Sequence, residues 1–162
     1  MCDVPIGADT FARRRHLPHF ERPDRTCFVT FVTRGRFELS PEARRIALAC
    51  CTHDHGVTYW LHTAVVMPDH VHLLFVPLDG WTLDRILRRV KGVSARLINR
   101  ELQRRGAVWQ AESFDRILRS DEDVTRKGEY IANNPVRAGL AATPEEYEWL
   151  WSWWRRGDAV RE

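Results

Sequence analysis

Residues 57–76 read VTYWLHTAVVMPDHVHLLFV, two β-branched and aromatic runs separated by Met67-Pro68-Asp69. Runs of this composition bounded by a proline turn predict two antiparallel strands, over 57–66 and 70–76. Side chains alternate across a strand, so Val71, Leu73 and Phe75 share one face and His70 and His72 the other. Upstream, TCFVTFVT at 26–33 predicts another strand. Between it and the hairpin, Ser40-Pro41-Glu42 opens a helix with an N-cap and a first-turn proline. Its apolar positions Ile46, Ala49 and Cys50 recur at helical spacing, and Gly56 closes it. Downstream, a long helix is predicted from Trp81 to about Arg105, with Leu83, Ile86, Leu87, Val90, Val93 and Leu97 as its buried stripe. Phe114–Leu118 predicts a fourth strand. Asp121-Glu122-Asp123 opens a last helix that runs to about Asn134 and stops at Pro135. Strand–helix–strand–strand–helix–strand is the ferredoxin-like order. The expected fold class is therefore α+β, an antiparallel sheet with two helices on one face and an added C-terminal helix that can cover the other.

The chain has 162 residues, enough for one core, with 44% hydrophobic and 29% charged residues. The expected division is an arm over 1–20, broken by Pro5 and Pro18, a domain over 21–142, and a tail over 143–162. That tail holds Trp149, Trp151, Trp153 and Trp154, and docking on the body is expected over service as a stacking platform for bases. No apolar run reaches the length of a membrane helix or of a signal peptide, so no membrane partner and a cytoplasmic location are expected. Four cysteines are too few for a disulfide scaffold. The net charge is +3, unevenly spread: 11–36 has a local net of +5 and 81–105 of +6. Only Lys91 and Lys127 are lysines. The two-pronged guanidinium suits phosphate, although a GC-rich genome yields the same bias. Arg13, Arg14 and Arg15 in the arm, Arg85, Arg89, Arg96 and Arg100 along the long helix, and Lys127 are the candidate DNA contacts.

Two imidazoles two residues apart on one strand face can share a metal ion. Tyr130 and Asn134 stand one helical turn apart, with Val124, Gly128 and Ile131 on the neighbouring face. A helix lying over the open sheet face would bring Asn134 to the histidines as an oxygen ligand and set Tyr130 beside the metal, where a hydroxyl can act as a nucleophile. The competing reading is two strand histidines, a core tyrosine and a helix-terminal asparagine. Cys50-Cys51-Thr52-His53-Asp54-His55 looks like a second, soft-metal cluster. Adjacent cysteines on a helix do not share a face, however, and no second pair completes a zinc site.

The segment Val65-Val66-Met67-Pro68-Asp69-His70-Val71-His72-Leu73-Leu74 resembles the His-hydrophobic-His motif of the HUH single-tyrosine transposases. More narrowly, the chain is similar to the REP-associated tyrosine transposases. The likeness includes Arg15-His16-Leu17-Pro18-His19, Cys27–Phe31, Val108-Trp109-Gln110, Phe114–Arg119 and Tyr130-Ile131-Ala132-Asn133-Asn134-Pro135-Val136-Arg137-Ala138-Gly139-Leu140, over roughly residues 14–150. The resemblance implies His70 and His72 as metal ligands, Asn134 as the third ligand (Gln in some relatives) and Tyr130 as the nucleophile. One amide oxygen and two ring nitrogens make a mixed, permissive set, so Mg²⁺ is the expected ion, with Mn²⁺ a substitute. The resemblance implies cleavage and rejoining of single-stranded DNA beside hairpins through a 5′-phosphotyrosine. What deprotonates Tyr130 is left open among nearby metal charge, water and Lys127, three residues earlier. Arg116 departs from the pattern, standing where relatives often have His. The alternatives are an inactive hairpin-binding module and a metal phosphodiesterase that uses water. Monomer and dimer are both open.

Overall fold

The computed structural model describes residues 25–119 and 122–155. Five strands form one antiparallel sheet: β1 (Cys27–Val32), β2 (Tyr59–Val66), β3 (His70–Pro77), β4 (Phe114–Ile117) and β5 (Leu150–Ser152). Their order is β4-β1-β3-β2-β5. The first four make the ferredoxin-like sheet, and β5 pairs with the outer edge of β2. Helices α1 (Pro41–His53) and α2 (Leu83–Glu101) pack on the face that presents Val29, Phe31, Val71, Leu73 and Phe75. Helix α3 (Val124–Ala132) lies on the other face, over Val65 and Leu74. The fold is thus α+β, with two helices on one face and one on the other.

Short-range signals set the helix starts. Ser40 Oγ accepts from the Ala43 amide, Thr82 Oγ1 from Arg85 and Asp123 Oδ1 from Arg126, each satisfying an amide with no partner inside its helix. The ends and buried faces depart from the sequence expectation. α2 is shorter than 81–105. It stops at Glu101, where Gln103 takes φ +49° and the Arg104 amide turns back to the Asn99 carbonyl. Its deepest residues are Ile86, Val90, Ser94 and Ile98, and those of α1 are Ala43, Ala47 and Cys51. Ile46, Ala49, Cys50, Val93 and Leu97 instead line a shallow groove of about 330 Å³ between the two helices. On α2, Trp109 from the following chain donates its indole N–H to Ser94 Oγ at 2.9 Å. A small polar residue is thereby buried where the apolar pattern placed Val93.

The last helix does not run unbroken to Asn134. α3 ends at Ala132, Asn133 is the half-helical residue that follows it, and a separate turn, α4 (Asn134–Arg137), comes next with Pro135 inside it. Proline has no N–H to continue the ladder and is accepted at the start of a new turn. Beyond α4, the tryptophans are seated one by one. Trp149 donates to the Pro41 carbonyl at 3.1 Å beneath Arg44, Trp151 packs on His55, Trp153 on Trp60, and Trp154 on His62.

Gly128 sets how closely α3 approaches the sheet. Pairing of β2 with β3 shifts register between Leu61 and Thr63, a bulge that turns His62 and Thr63 toward the helix. A β-carbon at Gly128 would come within 2.8 Å of the His62 ring and 2.9 Å of Thr63 Oγ1. His62 is buried and backed by Trp154, so it has no room to retreat. Gly128→Ala is therefore expected to destabilise the protein by about 1–3 kcal/mol through overpacking, outweighing the helix-propensity gain of about 1 kcal/mol. Gly92, in α2, meets nothing within 4 Å, so Gly92→Ala should stabilise by about 0.5–1 kcal/mol. Urea unfolding of the two variants should show opposite signs.

Candidate active site

His70 and His72 project side by side from β3, with ring centroids 4.7 Å apart. Each is held through Nδ1. His70 Nδ1 lies 2.6 Å from Asp69 Oδ1; a carboxylate oxygen accepts, so the ring donates through Nδ1 and its Nε2 points away from Asp69. His72 Nδ1 lies 2.7 Å from Thr30 Oγ1, on the residue that faces it across the β1–β3 ladder. Burial lowers the His72 pKa to about 3, and the charges of His70, Lys127 and Arg137 push the same way. His72 is consequently neutral at physiological pH. With both Nδ1 atoms occupied, two Nε2 atoms remain on one face. This is the arrangement in which hydrogen-bond partners orient imidazoles for a divalent cation, so the donor set fits a metal.

Helix α3 sets Tyr130 on the same side of the sheet. Its ring is 56% exposed and lies between two cations, Arg137 at 4.0 Å and Lys127 at 5.2 Å from the centroid. Lys127 also sits 4.3 Å over Phe28, which stacks on His72 at 5.8 Å, so one ammonium links the Tyr130 ring to the histidine floor. Partial burial lowers the Lys127 pKa, with the charge of Arg116 adding to the effect. Asn134 caps α3: its side-chain amide donates to the Ile131 carbonyl at 3.0 Å, and its Oδ1 accepts from Arg137 at 3.1 Å. Arg137 also donates to the Tyr130 carbonyl at 3.1 Å. The Asn134 amide oxygen is thus engaged by Arg137, and both contacts of this side chain stay within the α3–α4 turn.

Thr30, Asp69, Arg137 and His62 were not singled out from the sequence. Asp69 and Arg137 stand next to residues that were, and sequence proximity is a usable signal for them. The pairing of Thr30 with His72 spans 42 residues and needs the strand register. Arg116, the departure from the family pattern, forks onto Glu122 with two contacts of 2.7 Å and ties β4 to the segment that leads into α3. Those hydrogen bonds hold the Glu122 pKa down at about 2.

His62 supplies a pH dependence. Burial lowers its pKa to about 4, against about 6.5 in the unfolded chain. Below pH 6.5 the unfolded chain takes a proton that folded His62 refuses. Its contribution is therefore complete above pH 6.5 and is lost as pH falls toward 4. The slope is about 1.4 kcal/mol per pH unit for one such group, and His72 adds in the same direction. Urea midpoints measured between pH 7.5 and pH 5 should fall for the wild type and fall less for His62→Gln.

The other candidate positions lie elsewhere. Arg85, Arg89, Arg96 and Arg100 project from α2, on the sheet face opposite the histidines. Arg85 stacks on Trp81 and donates to the Gly80 carbonyl, and Arg89 binds Asp54 at 2.5 Å. Arg13, Arg14 and Arg15 lie outside the described residues. The Cys50–His55 segment does not converge. Cys51 is buried with its thiol pKa raised, His53 binds Asp54, and His55 accepts from the Leu61 amide. Among the described residues no group of three His, Cys, Asp or Glu side chains could hold a metal. Among them, too, no helix is long and apolar enough to cross a membrane.

Comparison with known proteins gives this geometry a context. A protein of Haemophilus influenzae that carries the name REP-associated tyrosine transposase is 26% identical over 92 residues. The aligned stretch is 51% of this chain and 52% of that protein, so the chain spans about half the length of its relative. A solved structure of a REP-associated tyrosine transposase bound to a REP hairpin shares the fold. Its TM-score is 0.62 at 21% identity, over 85% of this chain and 81% of the other. The profile of the family described as "Transposase IS200 like" matches residues 36–134, a span that includes Asp69, His70, His72, Tyr130 and Asn134. With more than half of its length matched, the chain belongs to the family of IS200-like transposases.

Proposed function

We propose that the protein cuts and rejoins single-stranded DNA beside hairpins, with Tyr130 as the nucleophile. The observation that supports this most directly is the pair of Nε2 atoms on His70 and His72, both rings oriented through Nδ1, on the sheet face over which the Tyr130 helix lies. The relative bound to a REP hairpin supports a hairpin-bearing substrate. His70, His72 and Asn134 would hold Mg²⁺ or Mn²⁺, with Arg137 releasing the Asn134 oxygen. A divalent cation there supplies charge neutralisation at the scissile phosphate.

The residues of the chain supply the rest. Thr30 and Asp69 hold the two imidazole rings in orientation through their Nδ1 atoms. Lys127 and Arg137 flank the tyrosine ring and offer positive charge to the phosphate oxygens. The Tyr130 oxygen bonds to phosphorus and gives up its proton, while the phosphorus–O3′ bond breaks and O3′ takes a proton. The products are a 5′-phosphotyrosine and a free 3′-OH. One phosphodiester replaces another, so attack by a 3′-OH reverses the step without external energy. The test is incubation of labelled hairpin DNA carrying single-stranded flanks with the protein and Mn²⁺, followed by a denaturing gel. A protein–DNA adduct supports the reading. Cleavage without adduct would assign the chemistry to water, and binding alone would assign a recognition module.

A further inference from the structure

We propose that Phe114 is a stacking platform for one unpaired nucleobase of the DNA strand that crosses the histidine site. This rests on the function proposed above and adds a base-binding position to it.

Phe114, Thr30 and His72 form one cross-strand row over β4, β1 and β3, because Thr30 faces Phe114 on one side and His72 on the other. At a strand spacing of about 4.8 Å, the Phe114 backbone lies roughly 10 Å from that of His72. Phe114 and His72 share the sheet face, whereas Asp115, the next residue, points the other way and lines the α2 side with Leu87 and Lys91. The two phenylalanines of this floor differ in what covers them. Phe28 stacks on His72 and is capped by Lys127. Phe114 meets Phe28 only by an edge contact, at 6.0 Å and 68°, and is 58% exposed.

Phe114 presents an open ring face on an edge strand, in the same cross-strand row as His72. The surrounding charge selects a ligand for it. Lys127 lies over Phe28, the ring whose edge Phe114 meets, and reaches toward Tyr130, while Arg116 on the same face is paired with Glu122. A flat apolar face beside a cation matches a nucleobase joined to a phosphate. Base–aromatic stacking is tolerant of base identity because every base has a π-face. Phe114 therefore positions a neighbouring nucleotide while other contacts read sequence.

The test uses a hairpin with unpaired flanks carrying 2-aminopurine at one position at a time, with full-length protein in the Tyr130→Phe background to prevent cleavage. One flank position should be quenched on binding. The quench should vanish in Phe114→Leu, which keeps apolar bulk against Phe28, and persist in Phe114→Tyr. An abasic site at that position should weaken binding by about five- to a hundredfold with Phe114 present and have little effect in Phe114→Leu. An unchanged quench and abasic penalty in Phe114→Leu, with DNA binding intact, would overturn the stacking role alone. A change of oligomeric state in Phe114→Leu without any change in the quench would assign the ring to an interface and also overturn it. Failure of the Tyr130 protein to bind hairpin DNA would remove the function and the stacking role together.

Discussion

Tyr130→Phe is expected to eliminate the covalent adduct on hairpin DNA and to reduce strand cleavage by a factor on the order of 10⁴ or more, the scale seen when a nucleophile is deleted. The substitution removes one oxygen. The ring keeps its place between Arg137 and Lys127, since both contacts are to its face. Because Tyr130 is 56% exposed and belongs to neither core cluster, folding stability should change by less than about 0.5 kcal/mol. Hairpin binding, measured by anisotropy, should stay near the wild-type value. The decisive comparison is adduct yield against binding: loss of the first with retention of the second identifies the hydroxyl as the reacting group. A variant that still cleaves at near wild-type rate would make water the nucleophile.

Replacing both His70 and His72 by Ala is expected to abolish Mn²⁺ binding by calorimetry and, with it, cleavage. At a metal concentration a hundred times the dissociation constant, a ligand that binds only the folded state adds about 2.7 kcal/mol. The wild type should therefore melt higher with Mn²⁺, and the double variant should show no such shift. The orienting contacts give a graded version of the same experiment. Thr30→Val keeps the shape of the side chain and removes the oxygen 2.7 Å from His72 Nδ1. It should weaken metal affinity by roughly 10–100-fold, the usual cost of losing an outer hydrogen bond to a ligating histidine. Unchanged Mn²⁺ binding in the double alanine variant would move the cation away from β3.

Gly128 and Phe114 connect these two experiments. The first limits how far α3, and so Tyr130, stands from the sheet, and the second extends the floor on which His72 sits. In the reaction proposed above, the hydroxyl on the helix and the imidazoles on the strand must come within a narrow distance for in-line attack. The packing of His62 against Gly128 is what holds that distance from the sheet side.

Features that depend on neighbours within a few residues are legible in the chain alone. Alternation over 70–76 put His70 and His72 on one face, away from Val71, Leu73 and Phe75, because side chains alternate in any strand. Ser40, Thr82 and Asp123 marked helix starts because an N-cap satisfies amides only two or three residues away. The order of elements then left few arrangements besides the ferredoxin-like sheet. The remaining features depend on partners distant in the chain. The β1–β3 register joined Thr30 to His72, the β2 bulge turned His62 toward Gly128, and Trp109 met Ser94 on the buried face of α2. The break at Asn133 belongs here as well. Pro135 announced that the last helix would end. Where it ends, and that the Asn134 side chain then caps α3 and binds Arg137, follows from the geometry of the turn beyond it. Periodicity and caps are local free-energy terms and leave a local trace, whereas register and close approach are set when two surfaces are buried together.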